Sequence, residues 1–129
     1  MNNLHVLLGG WRRQYVEKRL NDENINYSLF EKADIDTLKL LYAACDLYIV
    51  SSRYEGGPQS IIEAAAMKIP IISTDVGIAS NVLSKDCIVK IAHDYYNPTI
   101  QDIDHAYNNV LKLAIASHGY NFIKLFSEM

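Results

Sequence analysis

A chain of 129 residues is long enough for one domain with a proper core, and a composition that is 50% hydrophobic and 21% charged is that of an ordinary soluble globular protein. A net charge of −3 excludes the concentrated basic surface that nucleic acid needs; the densest basic group (Arg12, Arg13, Lys18, Arg19) is broken by Glu17 and reads as the solvated face of a helix. No apolar run reaches the length of a membrane span, and no signal-peptide pattern precedes the first strand.

In chain order, residues 4–8 read as a strand leading to a helix near 12–22, in which Tyr15, Val16, Arg19 and Leu20 make a helical stripe. A short strand near 25–30 follows, then a helix over 37–44 with Asp36 placed to cap it and with Leu38, Leu41, Tyr42 and Cys45 at amphipathic spacing. Next come a strand over 46–51, a helix over 59–67 and a strand over 70–74. Ile78 to Ser84 reads as a short helix or loop, residues 87–91 as a final strand, and 101–117 as a helix with Ile103, Tyr107, Val110 and Ala114 on one face. Asn97-Pro98 breaks the chain before that helix. Short strands alternating with helices predict an α/β fold with a Rossmann-like parallel sheet flanked by helices, in a single domain over 1–129.

Cys45 and Cys87 stand in apolar contexts without metal-ligand spacing, as free buried thiols of a cytosolic protein would, and His5, His93, His105 and His118 do not cluster. No metal is expected. The nine tyrosines are scattered and predict an amphipathic surface, not a stacking platform.

The chemistry concentrates in Arg53-Tyr54-Glu55-Gly56-Gly57-Pro58-Gln59-Ser60-Ile61-Ile62-Glu63-Ala64-Ala65-Ala66-Met67. Strand, glycine loop, helix and strand make one crossover unit of a parallel sheet, and ligands of such sheets bind outside the carboxyl ends of the strands. Pro58 suits the first helical position, where its missing N–H has no partner to lose. Glu63 then lies about 7 Å further along the axis, and helical side chains lean back toward the N-terminus and so toward the loop. From these residues alone Glu63 has two readings: a solvent-facing glutamate on a partly buried helix, or an acceptor for ligand hydroxyls at the mouth of the crevice.

Glu55, seven intervening residues and Glu63 resemble the Glu-x7-Glu signature of retaining glycosyltransferases with the GT-B fold, in the large group 1 family (family 4 of the sequence classification). The run 41–52 before the signature, the run 63–77 after it, and Leu4-His5-Val6-Leu7-Leu8-Gly9-Gly10 upstream are similar to the family's, in the right order over about residues 4–91. The resemblance implies the carboxy-terminal, donor-binding half of a GT-B fold. The implied function is transfer of a sugar from a nucleotide sugar, UDP- or GDP-linked, to an acceptor hydroxyl with retention, without cofactor or metal.

By position, the resemblance gives Glu63 the ribose hydroxyls and Glu55 the donor sugar, with Glu55 as the catalytic residue. Gly56, Gly57 and Gln59 would offer backbone groups to sugar and phosphate. Pro58 lies in the same loop but has no N–H to give, and Ser60 is either a phosphate contact or a helix-end residue. The nucleobase is expected near Leu29, Phe30 and Glu31, although the family often has glycine where Leu29 stands; Ile78 likewise replaces a glycine usual after Gly77. Thr74, Asp75 and Gly77 are expected to form the turn after a strand.

The family's first strand-helix unit of this domain, with its Arg and Lys for the diphosphate, and its acceptor-binding amino-terminal domain have no counterpart in these residues. A partial domain, inactive by itself, is therefore expected, cytoplasmic or at the membrane surface in a full-length parent. A glycan, lipid or small molecule would be the acceptor. The alternatives are a non-catalytic nucleotide-binding or interaction module, a receiver domain and a GT-B-shaped epimerase. The receiver is disfavoured because the first strand ends in Gly9-Gly10 and Asp46 begins its strand instead of ending it.

Overall fold

The structure, a computed structural model, describes residues 3–54, 59–90 and 96–113. It divides into two compact units, Met1–Cys45 and Asp46–Met129.

In the first unit, β1 (His5–Gly9) and β2 (Asn26–Phe30) pair in parallel, with Val6 opposite Tyr27 and Gly9 opposite Phe30. The crossover between them is α1 (Gln14–Asp22), and α2 (Ile35–Ala44) follows β2. Helix α1 starts later than the predicted residue 12. Arg12 has a φ of +59°, which no right-handed helix accepts, and Arg13 is the residue at its amino-terminal boundary. Helix α2 starts earlier than predicted and has a different cap. The Asp34 carboxylate, not that of Asp36, accepts a 2.7 Å hydrogen bond from the Thr37 N–H, while Asp36 lies inside the first turn. That backbone bond holds the Asp34 carboxyl below its ordinary pKa.

In the second unit, β3 (Tyr48–Val50) and β4 (Ile71–Ser73) pair in parallel, with Ile49 opposite Ile72. The strands are shorter than the predicted 46–51 and 70–74. The predicted final strand is reduced to a single parallel bridge between Ser73 and Ile88, extended by the Val89 N–H donating to the Ser73 carbonyl at 2.8 Å. Lys85–Cys87 forms a 3-10 turn just before it, and Ile91 lies outside the described residues.

The crossover helix is α3 (Gln59–Ala66), β4 leads into the short α4 (Ala79–Val82), and α5 (Ile100–Lys112) closes the unit. The core of this unit is Val50, Ile61, Ala64, Ala65, Ile71, Ile72, Val76, Ala79, Val82, Leu83, Cys87, Ala106 and Val110, all buried. Ala106 and Val110, with the half-buried Ile103 and Tyr107, form the inner side of α5, so Ala106 joins the stripe read from the sequence. Ala114 lies outside the described residues.

The start of α5 is fixed by a reciprocal cap. Thr99 Oγ1 accepts from the Asp102 N–H at 3.3 Å, and Asp102 Oδ2 accepts from the Thr99 N–H at 2.8 Å. Asp102 also accepts from Ser84 Oγ at 2.5 Å and from the Tyr96 hydroxyl at 2.7 Å. Partial burial pushes the Asp102 carboxyl up, but the bonds from Ser84, Thr99 and Tyr96 together outweigh it and hold the pKa at about 2. The Tyr96 hydroxyl, donating to that carboxylate, is pushed up to about 12. Cys87, beside Ser84, is a buried free thiol whose pKa burial raises, whereas Cys45 is half-buried.

Candidate functional site

In an open parallel sheet the ligand-facing side is the one where the strands end, because each crossover brings the next helix N-terminus there. In the second unit that side holds the exit of β3, the exit of β4 and the start of α3.

Of the residues expected to form the site, Glu55, Gly56, Gly57 and Pro58 lie outside the described residues. Gln59, Ser60 and Glu63 belong to α3. Ile61, Ala64 and Ala65 turn inward, with 0, 0 and 1% of their surface exposed, which fixes the rotation of the helix. Glu63 is then one turn beyond Gln59 and Ser60, and residues three and four apart share one side of a helix. All three are outside the buried stripe: Gln59 is exposed, and Ser60 and Glu63 are half-buried. Glu63 is thus a half-buried carboxylate one turn into the helix, on the side away from the core.

The two strand exits are joined by Thr74. Its N–H donates to the Val50 carbonyl at 3.0 Å and its Oγ1 to the Ser52 carbonyl at 2.6 Å, and the residue is 7% exposed. Thr74 thus fixes the chain at the beginning of the Ser52–Gln59 connection. Its role exceeds the turn formation expected of it, and the contact is invisible in the sequence because it depends on the register of β3 against β4. Gly77 does what was expected: its φ of +51° lets the chain turn from β4 into α4. Asp75 is exposed, as are Arg53 and Tyr54, the latter at 93%.

In the first unit the corresponding exits are joined by the backbone. The Gly10 N–H donates to the Phe30 carbonyl at 3.1 Å, and Arg13 Nε donates to the Gly9 carbonyl at 2.9 Å. Leu29 and Phe30 are half-buried residues of β2, and Glu31 is exposed just beyond it. Among the described residues no group of three or more His, Cys, Asp or Glu is placed to hold a metal ion, and no helix is long and apolar enough to cross a membrane.

Parallel strands joined by helices, with polar groups gathered where the strands end, define an α/β protein of Rossmann-like architecture. Over residues 2–109 the sequence matches the family Glycosyl transferases group 1, and the chain belongs to that family. It is similar to the putative teichuronic acid biosynthesis glycosyltransferase TuaC of Bacillus subtilis (strain 168), with 45% identity over 42 residues. That match covers 33% of this chain and 11% of the relative. Among solved structures it resembles a chain of the GtfA/B complex, with a TM-score of 0.69 at 18% identity, a likeness of fold. This likeness takes in 97% of the chain and 29% of the neighbour, so the matched regions cover less than a third of either protein's length.

Proposed function

We propose that this chain is part of the donor-binding domain of a retaining, family 4 glycosyltransferase of GT-B architecture. The complete protein transfers a sugar from a UDP- or GDP-linked donor to an acceptor hydroxyl. Membership of the group 1 family supports the reaction class, and the placement of Glu63 beside Gln59 and Ser60 on α3 is the observation that supports the donor site.

The chemistry follows from the groups. An ionised carboxylate accepts two strong hydrogen bonds, which suits the paired hydroxyls of a ribose and gives Glu63 that role. The amino terminus of α3 presents the positive end of its dipole to the diphosphate, whose negative charge grows as the sugar departs. Gln59 and Ser60 sit in that first turn. By its place in the family signature Glu55 contacts the donor sugar, and Gly56 and Gly57 offer backbone groups to the sugar and phosphate. No metal takes part in this scheme; the helix dipole and side chains carry the charge. The acceptor is a glycan, lipid or small molecule held by another part of the protein.

Calorimetric titration of the chain with UDP, GDP and ADP tests this reading. One of the three is expected to bind, and Glu63→Ala to weaken it by about tenfold or more, the usual cost of a charge-assisted hydrogen bond. Binding unaffected by the substitution would remove Glu63 from the ribose. If none of the three binds, a non-catalytic interaction module becomes the better account.

A further inference from the structure

Where β4 ends, a side chain takes over a rung that the backbone gives up. In the parallel ladder the Tyr48 N–H bonds to the Pro70 carbonyl and the Thr74 N–H to the Val50 carbonyl. A continued ladder would next set the Val76 N–H against the Ser52 carbonyl. The Val76 N–H donates instead to the Thr74 carbonyl at 2.8 Å, a tight turn about Asp75 that carries the chain away from β3. Ser73 Oγ holds the same Thr74 carbonyl from a second side at 2.7 Å. In place of the amide, Thr74 Oγ1 donates to the Ser52 carbonyl at 2.6 Å. The 3.5 Å approach of that hydroxyl to the Val50 carbonyl is too long to compete. A hydroxyl has replaced an amide at the point where the two strands part.

We infer that Thr74 is a positioning residue for the donor-sugar end of the site: it lets β4 turn away while its hydroxyl keeps the β3 exit in one place. The inference rests on the donor-binding reading above and adds to it a residue that neither the signature nor the resemblance supplied. Three observations converge. Thr74 is 7% exposed, so its bond to Ser52 is shielded from water. Its β-branched side chain is stiff at χ1, which aims the hydroxyl as a serine would not. Glu55, the signature carboxylate, stands three positions beyond Ser52. Three residues reach at most about 10 Å, so the place where Ser52 is held limits where that carboxylate can act. Thr74 works through Ser52 and needs no contact with the donor.

The test compares free nucleotides with their sugar-linked forms, because a merely structural residue would not distinguish them. Calorimetry on the whole chain uses UDP, GDP and ADP beside UDP-glucose, UDP-N-acetylglucosamine, GDP-mannose and ADP-glucose, with thermal unfolding followed in parallel. For the pair that binds, Thr74→Val should weaken the nucleotide sugar by about tenfold and the free nucleotide by less than about threefold. Thr74→Ser, which keeps the hydroxyl, should hold both within about threefold of the wild type. Thr74→Ala removes the hydroxyl without the bulk of valine, should show the same split, and decides the matter where Thr74→Val does not fold. Glu63→Ala should weaken both ligands alike, since its partner is the ribose that they share. Equal weakening of both ligands by Thr74→Val, or no change in either, would overturn the inference and leave the donor reading standing. If neither hydroxyl-free variant folds, Thr74 serves the fold alone and the inference falls. A wild-type chain that binds a nucleotide and no nucleotide sugar would remove the sugar end and this inference with it; one that binds neither would overturn both readings.

Discussion

Helices α1 and α3 end on the same turn. In α1 the Ile25 N–H reaches back to the Leu20 carbonyl and the Asn24 N–H to that of Asn21; in α3 Ile69 bonds to Ala64 and Lys68 to Ala65. Asn24 and Lys68 occupy the left-handed region at φ of +54° and +55°, and an isoleucine follows each into the next strand. This is the Schellman arrangement, in which one reversed residue satisfies two orphan carbonyls. The settings nevertheless differ. Helix α1 buries no residue, whereas α3 buries Ile61, Ala64 and Ala65 completely or nearly so, and the ammonium of Lys68 lies 4.5 Å from the Tyr107 ring centre on α5. Asparagine tolerates the reversed conformation and lysine does so less readily, so the second turn needs outside support that the first does not. Turn chemistry is local and repeats between the units; burial is tertiary and does not.

The largest test of that contrast is in the two helices themselves. Ile61→Ala is expected to lower stability to urea by about 2–5 kcal/mol, because it opens a cavity in a closed core, and Val16→Ala on α1 by about 1 kcal/mol. Equal losses would mean that the units are held alike.

A second test uses the cap of α5. The folded Asp102 carboxyl, at about 2, lies below the ordinary 3.8, so its contribution is present above the unfolded value and is lost as pH falls from 3.8 to about 2. Asp102→Asn should cost about 1–2 kcal/mol at neutral pH, allowing for solvent screening of a partly exposed group, and should flatten the acid limb of a stability profile. A variant with the wild-type acid limb would show that the network around Ser84 and Tyr96 does not hold the second unit together.

The smallest effect belongs to the first unit. Asp34→Ala should lower helix content and Tm measurably, whereas Asp36→Ala should change them little. The reverse order would return the cap to the residue read from the sequence.

The order of strands and helices was legible because it rests on hydrophobic period and on glycine and proline breaks, which are local. The cap of α2 was misassigned by two residues because the helix begins at the exposed Ile35, which carries no periodic signal. The late start of α1 was hidden for a related reason, since the composition of Trp11-Arg12-Arg13 does not announce a reversed φ at Arg12. The cap of α5 at Thr99 and Asp102 was not read from the sequence, which showed only the break at Asn97-Pro98, and its partner Ser84 is 18 positions away with nothing in the sequence to join them. At the candidate site, the sequence placed Glu63 on a helix with Gln59 and Ser60, and the α3 burial pattern agrees with the outward side this requires. It missed Thr74 as a link between strands, because that link needs the pairing register.

Thr74 has one more consequence. Its amide and hydroxyl both close onto the exit of β3, at Val50 and Ser52, so neither strand end can fray without releasing the other. Amide hydrogens on the two sides of that link should therefore exchange with solvent through one shared opening event, at one common free energy. Whatever enters beside α3 meets two strand ends that yield together or not at all.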